Sequence, residues 1–289
     1  MAVPSGAELP PSPLPPGLGG KLASPNPARR AVERWWLLFT PIWGAVAGFV
    51  MLTGLAEGWG DPELMALGIS LAIGALAPPV LRPHESEREL PLWRRTGFRL
   101  GATVLGFSFG MNYFCTPYFF DVLHMHYGFD TGINIQNNPV FLYLMTLAYF
   151  ATYFVLVSMA YRAAKRALPE RLSWLGGVAA AFSVAALETA LNANPFMTSL
   201  FCFDDHVFML WFGTLSYGAC FVIALPVWMS LDEERRSTLA QVAVRTLAAL
   251  MLIVITFEAS RHLIAPHVTT VVDRAEGLRD FETSCLEEP

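Results

Sequence analysis

Apolar and polar positions in this chain separate into long blocks. Seven stretches nearly free of Asp, Glu, Lys and Arg, at about 36–56, 63–81, 98–120, 139–161, 173–193, 207–230 and 242–264, each approach the ~20 residues that cross a bilayer as a helix. The pattern predicts an all-α polytopic transmembrane bundle of about seven spans. The second stretch is the weakest, rich in Gly and Pro, and also suits a re-entrant segment. Pro41, Pro78, Pro79, Pro117 and Pro226 lie within or at the ends of spans, which membrane helices tolerate when neighbours satisfy the freed carbonyl. Residues 1–28, rich in Pro, Gly, Ala and Ser without an apolar run, read as a disordered tail rather than a cleaved signal. Residues 29–268 read as the transmembrane domain and 269–289 as a polar C-terminal tail.

Composition agrees: 54% of the 289 residues are hydrophobic and 15% charged, against about a quarter charged in soluble domains. The net charge of −5 says little about partners, because the charges are segregated by loop. Arg29, Arg30 and Arg34 precede the first span; Arg82, Arg88, Arg94, Arg95 and Arg99 precede the third. Arg162, Lys165, Arg166 and Arg171 follow the fourth, and Arg235 and Arg236 the sixth. Loops 57–62, 121–138 and 194–206 hold no Lys or Arg. This alternation predicts a cytoplasmic N-terminus and an odd number of spans. The protein is expected to be an integral multi-pass one, in the endoplasmic reticulum of a eukaryote or the inner membrane of a bacterium.

In that frame polar groups gather at one depth. Asn112 lies past the middle of the third span, Glu188 in the outer third of the fifth, and Glu258 in the outer third of the seventh. Thr146, Tyr149, Thr214 and Tyr217 occupy the outer halves of spans four and six. The stretch Gly110–His126 is the densest, with Asn112, Tyr113, Phe114, Thr116, Tyr118, Phe119, His124 and His126. An ionisable group inside a span costs at least about 2.5–3.5 kcal/mol on insertion scales and so marks a candidate site. Glu188 has no local basic partner; a carboxyl kept from water favours its neutral, proton-donating form. Glu258 and Arg261, three apart, also suit a structural ion pair, and Asp205 suits a helix cap. His124 and His126 share a face only in an extended segment. The aromatics also suit an interfacial belt, although Asn112 is too deep for one. No nucleotide loop, nucleophile elbow or zinc motif is present. Neither cofactor, metal nor nucleic acid is expected.

Several blocks, in order, resemble the plant cycloeucalenol cycloisomerases, also called cyclopropyl sterol isomerases, over about residues 25–268. They are Pro25 to Pro27 with Arg29 and Arg30; Phe39 to Trp43; Asn112 to Thr116 with Tyr118 to Phe120; and Asn137 with Asn138. Leu187 to Thr189, Phe203 to Asp205, Asp232 with Glu233, and Arg261 with Pro266 follow. The Asn112 and Glu188 blocks are the specific ones. The resemblance implies an isomerase of sterol biosynthesis, an intramolecular lyase that opens the 9,19-cyclopropane of a sterol in the bilayer, cycloeucalenol to obtusifoliol. Such a reaction protonates the ring methylene, leaves a carbocation at the former fusion carbon and loses the neighbouring proton. On that footing Glu188 is the first candidate for acid, with Asp205 or Glu258 as base and the roles interchangeable. Asn112 and Tyr113 would orient the 3-hydroxyl, Phe114, Tyr118 and Phe119 would line the cation's path, and Thr116 and Arg261 would complete the contacts. The chain departs from the family pattern where Pro117, the run Pro139 to Phe141, and Leu147 with Ala148 replace histidine-bearing positions. His206 likewise replaces an Arg, and Glu258 an Asp. The rival reading is a non-catalytic membrane protein that binds or transports sterol or lipid on the same scaffold. The sequence sets no oligomeric state.

Overall fold

The computed structural model describes residues 22–268. The expected C-terminal tail and residues 1–21 of the expected N-terminal one lie outside them. Seven long helices account for most of the chain: α1 (Pro27–Leu52), α2 (Asp61–Leu81), α3 (Thr96–Phe114), then, after a short α4 (Thr116–Asp121), α5 (Val140–Ala167), α6 (Ser173–Asn192), α7 (His206–Ser230) and α8 (Leu239–Leu263). Their starts are written locally. Asn26 accepts from the Ala28 N–H at 3.0 Å ahead of Pro27 in the first turn of α1, where proline's missing N–H costs nothing. Thr238 and Gln241 form a capping box on α8. The weak second stretch is a continuous helix rather than re-entrant: Pro62 falls in its first turn, and Pro78 and Pro79 at its end, where few intrahelical bonds are lost.

Six of the seven, all but α3, are long and apolar enough to cross a membrane. Helix α3, diluted by Gly, Ser, Thr and Asn, still runs between the same two ends, with Arg99 at one and Asn112 near the other. Helix α5 is the axis, with 72% of its apolar window buried. Helices α1, α2, α3, α6 and α7 pack on it, and the six outer helices follow one another in the order α1, α2, α3, α8, α7, α6, each packed on the next. The ring does not close: α6 and α1 do not pack along each other.

One end is charged. Arg29, fully buried, donates to the carbonyls of Trp228 at 2.6 Å and Leu231 at 2.5 Å and pairs with Glu33 at 2.8 Å. Arg162 bridges Glu33 and Glu233, both at 2.7 Å, and Arg99 meets Asp232 at 2.5 Å. At the opposite end loops fold over the bundle. Strand β1 (Met125–Tyr127) pairs antiparallel with β4 (Phe201–Phe203), and β2 (Asn134–Ile135) with β3 (Asn138–Pro139) through a turn in which Gln136 and Asn137 take positive φ.

Candidate active site

The polar and aromatic stretch builds one wall of a cavity because its helix breaks. Pro117 offers no N–H to the carbonyl of Tyr113, so α3 stops at Phe114. The Thr116 hydroxyl turns back to the Asn112 carbonyl at 2.5 Å, the kind of substitute donor that membrane helices use at prolines. Helix α4 then restarts, with Phe119 facing inward and stacked on Tyr217 of α7 at 5.0 Å. Asn112 is held from three sides. Its amide donates to the Ser108 carbonyl and to Thr146 of α5, both at 2.8 Å, and its oxygen accepts from Asn138 at 2.9 Å. Asn138 also donates to Thr116 at 3.0 Å.

The small β1–β4 sheet closes the cavity from outside. Met125 lies opposite Phe203 and Tyr127 opposite Phe201. Alternate residues of a strand share a face, and all four of these side chains line the cavity. His126 and Cys202 lie between them on the other face, with His126 Nε2 3.3 Å from the Asp204 carboxylate. Burial pushes the Tyr127 phenol above its usual range, so it stays neutral.

On α6, Glu188 and Asn192 are one turn apart and both line the cavity, whose volume is about 80 Å³. Glu188 is the one acid among the residues lining it. Tyr153 of α5 lies beside its carboxyl, while Glu188 Oε2 is shut off from solvent with no hydrogen-bond partner. The next residue, Thr189, bonds Thr214 of α7 at 2.7 Å and fixes the helix beside it. Beyond Glu188 lies a lateral groove of about 300 Å³, which shares Tyr149, Glu188 and Asn192 with the cavity.

Of the expected site residues, Glu188, Asn112, Thr116 and Phe119 therefore meet at one cavity. The others lie elsewhere. Tyr113 and Phe114 are 42% and 56% exposed on the outer surface of the bundle. Tyr118 is buried, stacked on Phe257 and bonded to Ser216 at 3.0 Å and Ser260 at 2.9 Å, tying α4 to α7 and α8. Asp205 caps α7, accepting from the Phe208 N–H at 2.8 Å. Glu258 is half exposed, 3.6 Å from Arg261, which itself reaches Asp121 at 2.9 Å. Tyr127, Tyr153 and Asn192 escape the sequence reading. Asn192 alone had a legible signal, four residues after Glu188 on one helical face.

The chain is 30% identical over 256 residues to the cycloeucalenol cycloisomerase of Arabidopsis thaliana, a match that spans 85% of this chain and 90% of the plant protein. The chain belongs to the cycloeucalenol cycloisomerase family. No protein-family model and no solved structure matches it. Some positions at which the resemblance expects a different residue in the cycloeucalenol cycloisomerase family fall outside the cavity. Pro117, Leu147, Ala148 and His206 are all absent from the cavity lining. Leu147 and Ala148 are core residues of α5, and Pro117 supplies the break that brings Thr116 and Phe119 inward.

Proposed function

We propose that the protein is a sterol isomerase that opens the 9,19-cyclopropane ring of a cyclopropyl sterol, cycloeucalenol to obtusifoliol in type, with Glu188 carrying the proton. The observation behind this reading is a single acid between a small cavity and a lateral groove, one carboxyl oxygen dry and unpartnered. Family membership supports the isomerase class. Neutral Glu188 gives its proton to the ring methylene. The bond from that carbon to the fusion carbon supplies the electron pair, and a tertiary carbocation remains. The Glu188 carboxylate so formed then takes the proton from the adjacent carbon, whose C–H pair becomes the double bond. Atoms and charge balance, and the acid is regenerated.

One carboxyl serves both steps in this account. Asp205 is committed to its helix cap and Glu258 to Arg261 and His262, so neither is needed as base. The rings of Tyr149 and Tyr153 beside Glu188 present π faces that stabilise a nearby cation by about 0.5–2 kcal/mol each. The reaction runs within the bilayer, in the endoplasmic reticulum of a eukaryote or the inner membrane of a bacterium.

The test is expression in a host loaded with cycloeucalenol, with sterols read by mass spectrometry. Wild type is expected to form the 8,9-ene product, and Glu188→Gln to lose activity by about 10²–10⁴-fold, the usual worth of a positioned acid–base group. Absence of product from folded wild type overturns the isomerase reading in favour of sterol binding; full activity in Glu188→Gln overturns the assignment of the proton.

A further inference from the structure

The cavity under the β1–β4 sheet is too small for the substrate. Its volume of about 80 Å³ is room for a few waters, whereas pockets that bury a drug-sized ligand run from about 300 to 1,000 Å³. The groove on the other side of Glu188 has about 300 Å³ and lies where the helix ring fails to close, between α1 and α6. Its α1 wall is unusual for this protein. At Gly74, Gly106, Gly110, Gly177 and Gly218 an added Cβ would sit under 3.0 Å from a neighbouring side chain, so those glycines permit close helix packing. At Gly44 and Gly48 it would meet nothing within 4 Å. These two, one turn apart, hold space open rather than bring a helix in. At the base of the groove Trp43 donates to Thr152 at 3.0 Å and packs its ring 4.2 Å from Tyr149. Its polar atom is thereby satisfied and an aromatic wall remains.

We infer that the sterol docks from the bilayer in this groove, its flat ring face over Gly44 and Gly48 and its cyclopropane against Glu188. Its 3-hydroxyl points toward Asn192. This rests on the isomerase reading and adds the binding site and the side of approach. Glu188 and Asn192 are separated by about 6 Å along α6, comparable with the spacing of hydroxyl and cyclopropane in the sterol nucleus. An apolar ligand entering sideways from lipid has no need to pass the β1–β4 sheet. With the rings filling the groove, the side chain of the sterol extends into lipid.

Two measurements test the groove apart from the chemistry. Gly44→Leu and Gly48→Leu project into it from positions where an added Cβ meets nothing within 4 Å and are expected to keep normal thermal stability in detergent while conversion falls at least 100-fold. Leu247→Trp, a bulky change on the exposed face of α8, is expected to leave conversion within twofold. Separately, a photoreactive diazirine cyclopropyl sterol is bound to Glu188→Gln protein and the labelled peptide is sequenced. Labelling of residues 40–51 is expected. Labelling of the 125–127 or 201–203 strands, or unchanged conversion in both glycine variants, overturns the groove while the isomerase stands. A Gly44→Cys protein that oxidises to a disulfide-linked dimer in membranes shows a second copy in the groove and also overturns it. Conversion absent from wild type, by contrast, removes the isomerase reading itself.

Discussion

Glu188, Asp205 and Glu258 show how the surroundings of a carboxylate decide its role. Glu188 and Glu258 lie in the outer thirds of their spans and Asp205 in the loop above them, and all three are carboxylates that the sequence offers for proton chemistry, Glu188 first. Asp205 is occupied by the first turn of α7 through the Phe208 N–H, and Glu258 faces outward toward Arg261 and His262. Glu188 has tyrosine rings beside it and a bare, buried carboxyl oxygen. Asp205→Ala should therefore cost about 1 kcal/mol of stability, the usual worth of an N-cap. Glu258→Gln should cost less than about 1 kcal/mol, as exposed pairs do. Both should convert sterol within twofold of wild type per folded protein. Sterol turnover paired with melting temperatures in detergent checks this; a tenfold loss of turnover at unchanged stability would place a catalytic base outside the cavity. The depth of Glu188 and Asn112 was legible in the sequence because topology fixes depth. That Tyr113 and Phe114 face away from Asn112 follows from their places one and two residues further along the same helix; which way Tyr118 faces was not legible, because a proline break resets the helical phase.

That break at Pro117 is the element on which the site depends. A continuous helix through 98–120 is what the apolar pattern predicts, and it would carry the residues after 115 on around the axis of α3. The chain instead stops at Phe114, bonds Thr116 back onto Asn112, and restarts with Phe119 against Tyr217. Pro117→Ala restores the N–H that α3 lacks and favours the unbroken helix. The expected result is undiminished helix content by circular dichroism with conversion reduced tenfold or more, because Thr116 and Phe119 leave the cavity together. Equal turnover would show that the break is tolerated rather than required. The two-stranded lid was less legible: three residues at 125–127 and three at 201–203 are far apart in sequence and too short to declare a strand. Only their pairing reveals that Met125, Tyr127, Phe201 and Phe203 share one face.

Across the whole molecule the two ends do different work. The site end carries loops, an open groove and an unpartnered acid. The charged end carries a dense set of ion pairs that fixes the helices far from the site. Several residues behind the family resemblance belong to this second group: Asn26 donates to the Asp232 carbonyl at 2.6 Å, Arg29 to α7, and Glu233 accepts from Arg162. The basic loops that predicted orientation are thus also the material of a clamp, a function that charge counting alone does not reveal. Glu233 gives the clamp a pH signature. Burial raises its carboxyl, but the Arg29 guanidinium and the hydrogen bonds from Arg162 and Ser24 outweigh that and hold it below the ordinary value of 4.5. A carboxylate whose folded value lies below its unfolded one contributes stability that is complete above the ordinary range and is lost as pH falls through the folded value. Glu233→Gln removes one partner of a largely buried set of pairs and should cost about 3 kcal/mol at pH 7. The gap in melting temperature between wild type and variant should hold from pH 7 down to about 5 and close as the pH drops below 4.5. A gap that stays constant through that range would show that Glu233 acts through shape and hydrogen bonding, with its charge contributing nothing. Because the clamp lies at the far end of the bundle, sterol turnover per folded molecule at pH 7 should be the same in both proteins.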